Sequence, residues 1–203
     1  MALRVITMSH VERKIAYFEA PGRQNTDALL KIVRAYADKT GVKDIVVAST
    51  TGETGVQAYK LFKGFNLVVV THHVGFPNPG EQELKEMNRR QISANGAKIL
   101  TATHALSGVE RAIRKSFGTI EPLEIIANTL RLFGEGTKVC VEIVLMAADA
   151  GLISADRDVI AVAGSGRGAD TALLIKPANS SRFFDLEVKE IIAKPRSLES
   201  QTL

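Results

Sequence analysis

The chain has 203 residues, 45% of them hydrophobic and 24% charged, with a formal net charge of +4; this is enough for one sizeable core. Its 26 basic and 22 acidic residues include no dense Lys/Arg block, and three Tyr, eight Phe and no Trp leave little for base stacking, so no nucleic-acid partner is expected. The single cysteine, Cys140, excludes an internal disulfide framework and a cysteine-rich metal site.

The opening MALRVITMSHVERK lacks a signal-peptide pattern, and no stretch is long and apolar enough to span a bilayer. A cytoplasmic, soluble protein without a membrane partner is expected. Residues 1–23 read as an N-terminal extension holding one short strand, Lys14–Phe18, ended by Pro21 and Gly22. Asn25, Thr26 and Asp27 are capping residues for a helix over 28–39, closed by Gly41. Ile45–Ala48 is a β-branched run, read as a buried strand. Helix 56–63, strand 66–71, helix 81–94 and strand 97–101 follow. Residues 103–133 read as helical pieces broken around Gly118 and Pro122. The apolar stretch 137–150 is a helix that suits either the core or an interface between copies, so a homo-oligomer stays open. Cys140 lies in it and reads as a small buried hydrophobe. Strands 159–163, 171–176 and 188–193 complete the chain, and the tail 195–203 reads as loose.

Strands alternate with helices as far as residue 163, which predicts a single α/β domain: three layers, α/β/α, around a mostly parallel sheet. The connection between 159–163 and 171–176 is too short for a crossover helix, so the second of these strands is expected to run antiparallel to the first.

The chemistry gathers at strand ends. Ser49, Thr50, Thr51, Gly52, Glu53, Thr54 and Gly55 link a strand to a helix N-terminus. Unpaired helical N–H groups, the positive end of the helix dipole and four hydroxyls make an anion site, and Gly52 is expected to let backbone approach a phosphate. The bland reading is a well-capped turn. No Gly-Lys-Ser/Thr follows, so this is not a triphosphate-hydrolysing loop. Gly164, Ser165, Gly166, Arg167 and Gly168 form a second glycine-rich loop. Its spacing fits a dinucleotide fingerprint, but that fingerprint must open a helix and a strand follows here. It reads instead as a flexible loop with Arg167 placed to close over an anion. His72 and His73 leave the strand 66–71; if the strand continues they point to opposite sides, so that one faces the site. Two adjacent His without a third ligand are weak grounds for a metal, and none is expected. Thr103 and His104 follow the strand 97–101. These loops leave one edge of the sheet and should converge.

The stretch Ile45-Val-Val-Ala-Ser-Thr-Thr-Gly-Glu-Thr54 resembles the strand and phosphate loop of the pyruvate kinase C-terminal domain. Asp158–Gly164 with Ser165–Thr171 resembles the strand and effector loop that close over a sugar bisphosphate there. The resemblance covers residues 25–193, with a longer middle and without the family's Trp. Small stand-alone archaeal and bacterial proteins of the alpha/beta-domain-like group are similar in length, in Glu19-Ala-Pro-Gly-Arg-Gln-Asn-Thr26 and in Thr71-His-His-Val-Gly-Phe76. That group implies flavin mononucleotide (FMN) as ligand, its phosphate on residues 51–55 and its ring toward His72, His73 and Thr103. The residues alone support a phosphorylated small molecule. A chain of this length has no room for the catalytic barrel of pyruvate kinase beside this domain, so that activity is not expected. Three readings remain: an FMN-binding protein, open to a role as a flavin-dependent enzyme with His73 and His104 as candidates to tune the ring; a non-catalytic sensor of a sugar phosphate or nucleotide; or a structural subunit with an empty site.

Overall fold

The computed structural model describes residues 10–94 and 96–197. Elements run in the order β1 (Ala16–Phe18), α1 (Thr26–Thr40), β2 (Asp44–Ala48), α2 (Glu53–Leu61), β3 (Asn66–Thr71), α3 (Glu86–Ala94) and β4 (Lys98–Thr101). They continue with α4 (Glu110–Phe117), α5 (Pro122–Arg131), α6 (Glu135–Asp149), β5 (Val159–Ala163), β6 (Thr171–Lys176) and β7 (Glu187–Pro195). Among the described residues the strands form one seven-stranded sheet in the order β1-β7-β6-β5-β2-β3-β4.

Strands β5, β2, β3 and β4 are mutually parallel. β6 runs antiparallel to both β5 and β7, as the short 164–170 connection required. β1 pairs parallel with β7. The segment before residue 23 is therefore more than an extension, because it supplies an edge strand.

The period-2 pattern of the strands divides the core. Val46, Val68, Val70 and Ala161 face α5 and α6, whereas Ile45, Val47, Val69 and Ile160 pack with Leu29, Leu30 and Val33 of α1 and with Ala58 of α2. The result is the expected three-layer arrangement. Helix α6 is apolar nearly all round because its own chain surrounds it; Val141, Val144, Leu145 and Ala147 are buried in the core. Cys140 is likewise fully buried.

Several boundaries differ from those read from sequence. Helix α2 begins at Glu53, because Gly52 adopts φ 90° and forms its cap. Helix α3 begins only at Glu86; residues 81–85 run irregularly, with Leu84 buried and the Lys85 N–H donating to the Thr51 carbonyl. Of residues 103–133, the helical parts are α4 and α5, the latter started by Pro122 in its first turn. The tail read as loose begins inside β7, and the Arg196 N–H still donates to the Phe18 carbonyl. Residues 198–203 lie outside the described residues.

Candidate functional site

Strand β2 is the switch point of the sheet. The chain leaves it for β3 on one side and returns through β5 on the other. In open α/β sheets the crevice at the carboxyl ends of two such strands takes the ligand. Here the 49–52 loop follows β2 and the 164–170 loop follows β5. Between them lies a cleft of about 740 Å3, lined from α1, α2, α6 and the ends of β2, β3 and β5. That volume suits a ligand of cofactor size.

The loop after β2 is built for capping and for donation at once. Ser49 Oγ accepts the Gly55 N–H at 3.0 Å, and the Val56 N–H reaches the Gly52 carbonyl. The N–H groups of Glu53 and Thr54 lie ahead of that ladder and take no acceptor among the described residues. They sit at the positive end of the α2 dipole, beside the hydroxyls of Thr50, Thr51 and Thr54 in the cleft wall. Gly52 has a different reason from the one its sequence context indicated. A Cβ there would lie 2.6 Å from Asn88 Cβ and 2.7 Å from Leu84 Cδ1, so the glycine is required by the close approach of the α3 segment. Gly55 is likewise pressed on Val69 and Ile92. Neither glycine lines the cleft.

The glycine-rich loop after β5 is tied at its far end. The buried Asp170 carboxylate accepts the N–H groups of Gly22 at 2.9 Å and Ser165 at 3.1 Å, and the Thr171 hydroxyl at 2.8 Å. The Ala169 N–H donates to Thr26 Oγ1 at 2.9 Å. Thr26, read from sequence as a cap, anchors this loop instead. Gly168, at φ 78°, passes so close to Arg23 that a Cβ would lie 2.5 Å from its Cα. Expected as flexible throughout, the loop is free of such ties only at Gly166 and Arg167, which are exposed. Arg167, Gly164, Gly166 and Gly168 line the cleft; Ser165 does not.

Opposite, the histidines meet. β3 ends at Thr71, so the alternation expected for His72 and His73 does not continue. Both rings lie against His104, at centroid distances of 5.3 and 5.1 Å, and Phe76 packs on His72 at 4.0 Å. Glu83 Oε2 lies 2.6 Å from His72 Nδ1, which orients the ring and brings Nε2 to 3.4 Å from Thr50 Oγ1. Burial pushes the His104 pKa down to about 4, with the charges of His72, His73 and Lys138 adding to the effect and Glu142 opposing it. His72 and His104 line the cleft, whereas His73 and the exposed Thr103 do not.

Below them α6 carries a buried ion pair. Lys138 Nζ lies 2.5 Å from Glu142 Oε2, both side chains are more than nine-tenths buried, and Glu142 Oε1 accepts the Leu106 N–H. Sequence reading missed this pair, although two charges at i,i+4 in an apolar helix are a legible signal. It also missed Arg23, Arg111, Arg131, Glu83 and Lys85, which reach the cleft from distant segments. Most cleft cations are matched: Lys85 with Glu53, Arg131 with Glu135 and Lys138 with Glu142. Arg23, Arg111 and Arg167 have no carboxylate partner among the described residues. The Glu53 carboxyl is held below its usual range, first by the hydrogen bond and charge of Lys85 and then by Arg23 and Arg167. The two arginines therefore act on the same end of the cleft as the α2 N-terminus.

The model of the family described as "Pyruvate kinase, alpha/beta domain" matches residues 27–175. Among solved structures, the chain is similar to a pyruvate kinase from Cryptosporidium parvum at 17% identity and a TM-score of 0.38, covering 73% of this chain and 22% of that one. It is similar to the Cryptosporidium parvum pyruvate kinase in complex with ADP at 18% identity and a TM-score of 0.37, covering 91% and 25%. The chain thus spans about a quarter of the length of these enzymes or less.

Proposed function

The chain belongs to the pyruvate kinase alpha/beta domain family, and on that premise we propose that its cleft binds a phosphorylated small molecule, with FMN as the ligand. One observation carries the reading: two arginines without carboxylate partners, Arg23 and Arg167, flank a helix N-terminus that offers unpaired N–H groups and threonine hydroxyls. Such donors favour a phosphate over a neutral group by charge-assisted hydrogen bonds. His72, Phe76 and His104 form an aromatic wall along the same cleft, suited to one face of a flat ring system. The volume of about 740 Å3 accommodates both parts.

In this reading Thr50, Thr51, Thr54, Arg23 and Arg167 hold the phosphate. Phe76 and His72 support the ring, and Glu83 fixes the orientation of His72. His104, uncharged at neutral pH because it is buried, presents a ring that polarises its surroundings less than an imidazolium would. A bound flavin supplies two-electron redox chemistry; the protein supplies position and surroundings. The reading places no phosphoryl transfer from phosphoenolpyruvate in this domain.

A second reading, a non-catalytic sensor of a sugar phosphate or nucleotide, draws on the Thr26–Ala169 and Gly22–Asp170 hydrogen bonds. They join the segment bearing Arg23 to the anchored end of the loop bearing Arg167, so an anion between the two arginines would bridge elements that are already linked. The absorbance spectrum of natively purified protein, with mass spectrometry of released small molecules, separates the readings. A flavin spectrum and released FMN support the first; a colourless protein releasing a sugar phosphate or nucleotide supports the second.

A further inference from the structure

A side pocket of about 290 Å3 opens from the cleft between α4, α5 and α6 and shares Arg111, Arg131 and Lys138 with it. Its floor is apolar, formed by Leu106 and Ala127. We propose that this pocket binds the carboxylate of a small monoanionic molecule on the guanidinium of Arg111, beside the ligand of the main cleft.

The charges of the pocket decide its chemistry. Four cations line it, and three are matched: Arg114 with Glu124, Arg131 with Glu135 and Lys138 with Glu142. Glu110, which pairs with no cation among the described residues, accepts the Leu123 N–H. Arg111 alone among the four has no carboxylate partner in the described residues. Its Nε donates to Ser107 Oγ at 3.1 Å, and its guanidinium lies 4.7 Å from the centroid of the Phe76 ring. One edge of the fork is thus fixed and stacked, which leaves the terminal Nη groups to hold a planar anion by two parallel bonds. One unmatched cation suits one negative charge. A dianionic phosphate would bring a second charge next to Glu110 and Glu124, with no cation to balance it.

Arg111 rests on the same Phe76 ring that walls the main cleft, so an acid held there lies next to the proposed flavin site. The role as a second-substrate pocket rests on that proposed function; the binding of a carboxylate at Arg111 does not.

The test is a titration of the full chain with butyrate and its uncharged isostere butanamide, followed by NMR, with inorganic phosphate titrated separately. Butyrate is expected to bind and butanamide not. Arg111→Gln should weaken butyrate by about tenfold or more, Arg111→Lys by less, and Arg167→Gln should leave butyrate binding unchanged while weakening phosphate. Equal binding of butyrate and butanamide overturns the proposal without any variant. So does butyrate binding that Arg111→Gln leaves intact, or that phosphate abolishes by competition. Phosphate binding lost in Arg167→Gln while butyrate fails to bind removes the side pocket alone; phosphate binding indifferent to Arg167 removes the reading of the main cleft alone.

Discussion

The hydroxyl of Thr26 accepts the N–H of Ala169 at 2.9 Å, joining the first turn of α1 to the loop after β5 across 143 positions of sequence. The bond is buried, and beside it Gly168 has no room for a Cβ. The far end of the loop that carries Arg167 is therefore anchored by a contact with the segment that opens α1.

Thr26→Val should leave the Ala169 N–H buried and unpaired. A loss of about 1–3 kcal/mol is expected. Gly168→Ala combines a left-handed φ with a clash against the Arg23 backbone, and should cost about 2 kcal/mol or more. Urea denaturation measures both. Variants as stable as the parent would show that the loop is not anchored there.

His104 provides a pH dependence of defined sign. Its folded pKa of about 4 lies below its unfolded value, so the unfolded state takes up the proton first as pH falls. The resulting stability is fully present above about pH 6.5 and is lost as pH falls toward 4; it amounts to about 3 kcal/mol over that window. His104→Asn should flatten the stability curve between those limits. Curves of the same shape for the variant and the parent would place the acid sensitivity elsewhere.

The Glu83–His72 contact is half-exposed, so it adds little to stability, about 1 kcal/mol at most. Its effect is on orientation. The carboxylate accepts Nδ1–H and leaves Nε2 to accept the Thr50 hydroxyl. Nitrogen NMR at neutral pH should find the Nδ1–H tautomer in the neutral ring of the parent and a mixture in Glu83→Gln, with nearly unchanged melting temperatures. An Nε2–H tautomer in the parent would remove this assignment.

The central strands were legible because strands buried on both faces are continuous apolar runs rich in β-branched residues, as in Ile45–Val47 and Leu67–Val70, all of them buried. The antiparallel β6 followed from the length of one loop. The convergence of the loops after β2, β3 and β5 followed from the parallel order. What sequence could not give was distance between remote segments: Arg23, Arg111 and Lys138 line one cleft only because the turn before α1, helix α4 and helix α6 border the same edge. Of His72 and His73 only the first lines the cleft, as strand alternation suggested, although β3 and its ladder to β4 end at Thr71, so turn geometry rather than alternation separates the two rings. At Gly52 sequence could not show the packing against Asn88 and Leu84, because a left-handed turn residue admits a ligand and a neighbouring segment by the same absence of Cβ.

The central claim is that the cleft holds a phosphate between Arg23, Arg167 and the start of α2. Calorimetric titration of the full chain, freed of any bound flavin, with FMN and with riboflavin tests it most directly, because the two differ only in that group. FMN should bind at least about tenfold more tightly, the worth of one or more charge-assisted hydrogen bonds, and Arg167→Ala should narrow the difference by weakening FMN and not riboflavin. Equal affinity for both, or no binding of FMN, would contradict the account.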